Sequence, residues 1–83
     1  MRYRAAYALG EIGGPAAVPV LTEALKSDVD PNVRYRSAWA LGWIGDPKAV
    51  PALTEALKSD AAFAVRSAAR RVLDRIEGKG AKK

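Results

Sequence analysis

The sequence contains no cysteine and no histidine. Without cysteine it cannot form a disulfide framework, a thiolate nucleophile or a cysteine-ligated metal site, and without histidine it lacks the commonest general base and metal ligand. It also has no apolar run of about 18 residues, which a membrane-spanning helix requires, and no charged and apolar leader at its start. We therefore expect a cytoplasmic protein with no membrane contact and no cofactor.

Residues that could support catalysis are also scarce. The carboxylates fall singly, at Glu23, at Glu55 and at aspartates between predicted helices, so no pair converges for acid–base chemistry. Ser27 and Ser59 have no general base available, and no glycine-rich loop could cradle a phosphate. These absences predict that the protein is not an enzyme.

The positive charge is concentrated at one end of the chain. The net charge is +5, yet residues 1–63 hold seven basic and seven acidic side chains, so the excess lies in residues 64–83. Such a basic end can be an anion-binding patch or a solvated cap and tail. The last residues, 78–83, are short and polar, and we predict a mobile basic tail there.

An internal repeat organises the sequence. Residues 1–32 match residues 33–64 at 21 of 32 positions, and a third copy begins at Val65 and ends early. A period of 32 residues suits one helical hairpin. We therefore predict an all-α solenoid of about two and a half hairpins in one domain, 1–77, with repeats at 1–32 and 33–64 and a C-terminal capping half-repeat at 65–77.

Glycine, proline and aspartate punctuate each repeat and predict five helices, at 2–12, 15–27, 31–44, 47–59 and 62–77. Gly45 is predicted to be a left-handed helix stop, followed by Asp46 as an N-cap and Pro47 as the first helical residue. Pro19 and Pro51 mark where the regular helices begin. The faces that we expect to be buried are Val18, Leu21 and Leu25 in one repeat, and Val50, Leu53 and Leu57 in the next.

Aromatic residues follow one side of the helix predicted at 31–44. Tyr35, Trp39 and Trp43 are spaced i, i+4, i+8 and lie nearly opposite the apolar side, which consists of Val33, Ser37, Ala40, Leu41 and Ile44. This phase favours a contact surface, because aromatic residues beside arginine make good interface anchors. The alternative is that the rings fold over small neighbours such as Ala38 and Gly42 and thicken the core. Phe63 falls elsewhere, and we expect it to pack.

Arginines recur with the same period. Arg2, Arg34 and Arg66 are each 32 residues apart and lie about 100° from the centre of the predicted core. We interpret them as a structural ladder with Asp28 and Asp60.

The repeats share the pattern Val-Arg, two free positions, two small residues, a free position, Ala-Leu-Gly, a free position and Ile-Gly-Asp-Pro. This pattern resembles HEAT-like repeats of the phycobilisome-lyase type. The run that carries it is VRYRSAWALGWIGDPKAVPALTEALKSD, and two near-complete copies are present. The resemblance implies a right-handed α-solenoid in which the Ala-Leu-Gly helix lines the concave side, where partners bind. The high identity of the copies and the uncapped start are features of an engineered or excised fragment.

The family's free positions supply the predicted binding residues. Some relatives bind iron through His-Glu pairs at the first two of these positions, but here they hold Tyr3-Arg4, Tyr35-Arg36 and Ser67-Ala68, which excludes that site. The predicted partner-binding residues, which we call the stripe, are Tyr3, Arg4, Tyr7, Tyr35, Arg36, Trp39, Trp43, Arg71 and Arg75.

The sequence therefore predicts a non-catalytic binding module or scaffold. Its expected partner is another protein or a second copy of the chain, with a dimer favoured because pairing would bury exposed apolar surface. One alternative is nucleic-acid binding through the arginines and rings of the stripe. Another, suggested by the resemblance, is a bilin or another small molecule in the aromatic groove.

Overall fold

The computed structural model describes residues 14–78 of the 83-residue chain. Over this range there are four α-helices and no strand: α1 (Val18–Ser27), α2 (Pro31–Ile44), α3 (Val50–Ser59) and α4 (Phe63–Glu77). Two short 3-10 segments, Gly14–Ala17 and Pro47–Ala49, lead into α1 and α3. The all-α prediction is confirmed.

The helix count differs from the prediction, with four α-helices described rather than five. The predicted first helix, 2–12, lies outside the described residues, as does the predicted tail beyond Gly78. The helix predicted at 31–44 has the predicted bounds, and the last one begins at Phe63 rather than at residue 62.

Proline explains how the helices predicted at 15–27 and 47–59 begin. In each, the first residues form a 3-10 turn, and the α-helix starts immediately before Pro19 or Pro51. Proline has no N–H to donate, and the first turn of an α-helix is the place where that donor is not needed. The prediction that the two prolines mark the start of regular helix is confirmed.

The predicted helix caps are present. Gly45 ends α2 in the left-handed conformation, with φ of 76°. The Asp46 carboxylate accepts a hydrogen bond from the Lys48 N–H at 2.9 Å, and Asp30 accepts one from the Asn32 N–H at 2.8 Å. Each of the two aspartates satisfies a backbone donor that is otherwise unpaired, Asp30 at the start of α2 and Asp46 at the start of the 3-10 segment that leads into α3.

The helices form two layers. α1 packs against α2 and α3 packs against α4, so the described residues form two antiparallel hairpins. The hairpins stack with α2 beside α4 and α1 beside α3. The largest fully buried apolar side chains are Leu21, Leu25, Leu41, Leu53, Val33, Val65 and Val72.

The predicted buried faces are largely correct. Val18, Leu21, Leu25 and Leu53 are buried, whereas Val50 and Leu57 are half-buried against the core. In α2, Ala38 and Gly42 are buried in addition to most of the predicted side. A Cβ atom on Gly42 would lie 2.8 Å from Cγ2 of Val72, so α2 and α4 approach each other closely at this glycine.

The arginine–aspartate ladder is confirmed for Arg34. Its Nε and Nη2 donate to the two carboxylate oxygens of Asp60, at 2.9 and 3.1 Å. It meets Asp28 through the backbone, since Nη1 donates to the Asp28 carbonyl at 2.8 Å. Arg66 donates to the Asp60 carbonyl at 2.6 Å, while Arg2 lies outside the described residues. The ladder ties the α1–α2 loop to the α3–α4 loop.

Candidate functional site: an aromatic and arginine surface on α2 and α4

The aromatic members of the stripe differ in how far they reach into solvent. Trp43 is 62% exposed, whereas Tyr35 and Trp39 are half-buried and pack against the core. The Tyr35 and Trp39 rings meet edge to face, with centroids 6.3 Å apart and planes inclined by 78°. Tyr35 and Trp39 therefore support the core and also contribute surface, while most of Trp43 is available for contact.

Arginine extends this surface on both helices. The Arg36 guanidinium lies 5.7 Å from the centroid of the Tyr35 ring, a distance typical of a cation–π contact. Arg71 and Arg75 are exposed on α4. They occupy the places of Trp39 and Trp43 one period later. α2 and α4 pack side by side, so these two pairs of positions lie at equivalent places on neighbouring helices.

The described members of the stripe carry positive charge and no negative charge, since their charged side chains are Arg36, Arg71 and Arg75. Aromatic and arginine side chains are enriched at protein interfaces, where they supply contact area and hydrogen-bond donors. Tyr3, Arg4 and Tyr7 lie outside the described residues. Among the family's other free positions, Ser67 is half-buried and Ala68 is fully packed, so Ala68 adds nothing to the surface.

The prediction that Phe63 packs is wrong. Phe63 is the first residue of α4 and is 74% exposed, with the Arg66 guanidinium 5.8 Å from its ring centroid. A signal for this exposure is present in the sequence. Phe63 stands one period after Pro31, and Pro31, at the start of α2, is exposed as well.

A family model for HEAT repeats matches residues 1–74. The chain belongs to the HEAT repeat family. Members of this family generally mediate protein–protein interactions and are typically non-catalytic. Neither the curated proteins nor the solved structures contain a match to this chain.

The rest of this HEAT repeat chain offers few alternative sites. Among residues 14–78, no group of three or more acidic side chains is placed to hold a metal ion. Over the same range, every helix is too short or too polar to cross a membrane. An open depression lies on α1, lined by Pro19, Val20, Glu23, Ala24, Ser27 and Asp28. The equivalent residues of α3 line a groove between α1 and α3 together with Leu25 and Lys26. The depression on α1 therefore corresponds to the face by which α3 meets α1.

Proposed function

We propose that this chain is a non-catalytic protein-binding module that uses the stripe as its contact surface. The observation that carries the proposal is that Trp43 is 62% exposed, while Arg36 on the same helix and Arg71 and Arg75 on the neighbouring helix α4 are exposed too. A large apolar ring held in water is unfavourable unless a partner covers it, and tryptophan and arginine are the side chains most often found at interface hot spots. The HEAT family supports the same function, since its members generally bind proteins.

A second copy of the chain is the favoured partner. Two-fold pairing would place the Trp43 side chains of both copies in one interface, because a symmetric dimer uses the same surface twice. The Arg36, Arg71 and Arg75 side chains would lie at the rim, where water screens like charges.

Light scattering across a hundredfold range of concentration tests the dimer. We expect the mass of two 8.9 kDa chains at the upper end, and we expect Trp43→Ala to shift it towards one chain. Trp43 is the variant of choice because Trp39 also supports the core. The matched control is Val29→Ala, since Val29 is 92% exposed in the loop between α1 and α2, at the opposite end of α2 from Trp43. A dimer that survives Trp43→Ala, or a monomer throughout, overturns self-association through the stripe.

Nucleic-acid binding is the second candidate, favoured by the fact that the described members of the stripe carry only positive charge. Bases would stack on the Trp43 ring while arginines contact phosphates. This function requires an affinity for oligonucleotides that falls steeply with salt. No binding at low salt removes it.

The finer resemblance, to the phycobilisome-lyase type of HEAT repeat, is also a proposal. It is supported by the Ala-Leu-Gly and Ile-Gly-Asp-Pro pattern around Leu41 and Asp46. It brings a bilin as a possible ligand of the aromatic groove. Unchanged bilin absorbance on titration with the protein would dispose of that ligand.

A further inference from the structure

Arg34 shows how this fold holds a carboxylate. Its Nη1 donates to the Asp28 carbonyl at 2.8 Å and to the Val29 carbonyl at 3.2 Å, which orients the guanidinium. The remaining edge, Nε and Nη2, then grips both oxygens of the Asp60 carboxylate. The two side chains are only 15% and 6% exposed. This is the bidentate geometry that makes arginine–carboxylate pairs strong and directional.

Arg66 repeats the first half of this arrangement one period later. Its Nη1 donates to the Asp60 carbonyl at 2.6 Å, the bond that corresponds to the one from Arg34 to Asp28. The Phe63 ring lies 5.8 Å from the guanidinium and limits its movement further. Within residues 14–78, however, no carboxylate meets the Nε and Nη2 edge of Arg66. Arg66 thus keeps the hydrogen bond to the loop carbonyl that Arg34 forms, and among the described residues no carboxylate binds its other edge.

We propose that Arg66 and Phe63 form a binding site for a carboxylate side chain, supplied by an acidic segment of a partner protein. Arg34 identifies the ligand. Its guanidinium, which is held by the equivalent loop carbonyl one repeat earlier, binds a carboxylate in this chain. Phe63, which is 74% exposed, offers apolar area to the residue beside that carboxylate. Since the loop already orients the arginine, binding requires less ordering of the side chain than at a flexible surface arginine.

The neighbouring residues on α4 indicate that the partner is an acidic segment rather than another stacked hairpin. Where α2 has Ala38 and Gly42, which let α4 approach closely, α4 has Arg70 and Asp74. Arg70 is exposed and Asp74 half-buried, and side chains of that size prevent another hairpin from stacking as α4 stacks on α2. A second copy in the repeat register is therefore disfavoured. Arg70, one turn after Arg66, adds positive charge for an extended acidic segment.

This site is separate from the stripe. Arg66 and Phe63 lie at the start of α4, beside the loop that follows α3, whereas Arg71 and Arg75 lie further along the helix on its outer side. The inference does not depend on the proposed function of the stripe, and each can fail without the other.

Arginine Nε–H signals in NMR spectra of the full chain test the proposal. The probe is a blocked Asp-Leu dipeptide amide, and the Asn-Leu dipeptide amide, which lacks the carboxylate, is its control. We expect the Asp probe to move the Arg66 signal several-fold further than those of Arg71 and Arg75. The Arg34 signal should not move, because Asp60 already occupies that edge. Equal movement of Arg66 and the exposed arginines, or equal effects of the two probes, overturns the proposal.

Variants give a second readout through the Phe63 ring signals. Arg66→Lys keeps the charge but loses the planar two-pronged edge, so the probe should no longer move the Phe63 signals. Arg75→Lys, on the same helix but outside this site, is the matched control and should retain the response. If Arg66→Lys does not fold, the comparison of arginine signals in the wild-type chain still decides. Inorganic phosphate that competes more strongly than the Asp probe would contradict the assignment of a carboxylate.

Discussion

The hydroxyl group of Ser37 lies in the core of the described region and has no hydrogen-bond partner there. The side chain is fully buried, and its Oγ forms no hydrogen bond among the described residues. Ala69 holds the same position one period later, and it is equally buried. A buried polar group without a hydrogen bond lowers the stability of a protein by roughly 1–3 kcal/mol. The alanine of the next repeat is therefore the more stabilising residue at this position.

Replacing this hydroxyl should stabilise the protein. We expect Ser37→Ala to raise the free energy of unfolding by about 1 kcal/mol. In a domain of this size that raises the Tm by about 4–8 °C, which thermal unfolding followed by circular dichroism measures. The control is Ser67→Ala, a half-buried serine on α4, with an expected change within about 0.5 kcal/mol. An unchanged or lower Tm for Ser37→Ala would show that the hydroxyl has a partner.

The sequence predicts that Ser37 lies on the packing side of its helix, and this is confirmed. It does not predict that the hydroxyl lacks a partner. That depends on the positions of acceptors on neighbouring helices, which helical phase alone does not contain.

At the scale of the helices, Gly42 sets the distance between the two hairpins. Its missing side chain leaves room for Val72, whose Cγ2 would lie 2.8 Å from an added Cβ. Val72 is β-branched and fully buried, so its methyl groups cannot rotate away easily. Close approach of α2 and α4 therefore depends on this glycine.

Gly42→Ala should destabilise the protein in spite of the higher helix propensity of alanine. The propensity gain is about 1 kcal/mol, and we expect overpacking against Val72 to exceed it, leaving a net loss of about 1 kcal/mol in denaturant unfolding. A double-mutant cycle with Val72→Ala isolates the clash, because Gly42→Ala should be harmless or stabilising where Val72 has been truncated. Equal effects of Gly42→Ala on stability in both backgrounds would show that the close approach to Val72 does not require a glycine.

Helix boundaries are the part of the fold that the sequence predicts best. Asp30, Gly45 and Asp46 act locally, through hydrogen bonds or backbone conformation within a few residues, so their effects can be read without knowledge of the neighbours. Phe63 shows the limit of local interpretation. Its apolar side chain suggests packing, but it takes the place of the exposed Pro31 in the repeat and is itself exposed.

At the scale of the molecule, the 32-residue period predicts the stacking of hairpins and the Arg34–Asp60 ladder, because equivalent residues take equivalent places. The positions of the stripe side chains can be predicted only in part from the sequence. A helical projection places Tyr35, Trp39 and Trp43 together on the side opposite the core. The rings of Tyr35 and Trp39 nevertheless reach the core cluster, while Trp43 is mostly exposed. Side-chain reach across small neighbours decides this difference, and a projection does not include it.

The capping half-repeat stays a prediction that the surface of α4 supports. Arg70 and Asp74 replace the small residues through which α2 accepts α4. Charged side chains on a terminal repeat face keep it soluble and discourage further stacking.

The most direct test of the central claim, that the stripe is the protein-contact surface, is an unbiased selection. Peptides would be selected from a random displayed library on the wild-type chain, and their affinities then measured for Trp43→Ala and for the Val29→Ala control. We expect most of the selected peptides to lose about tenfold or more in affinity for Trp43→Ala, which corresponds to about 1.4 kcal/mol, and to keep their affinity for Val29→Ala. Peptides that bind Trp43→Ala as tightly as the wild-type chain would contradict it.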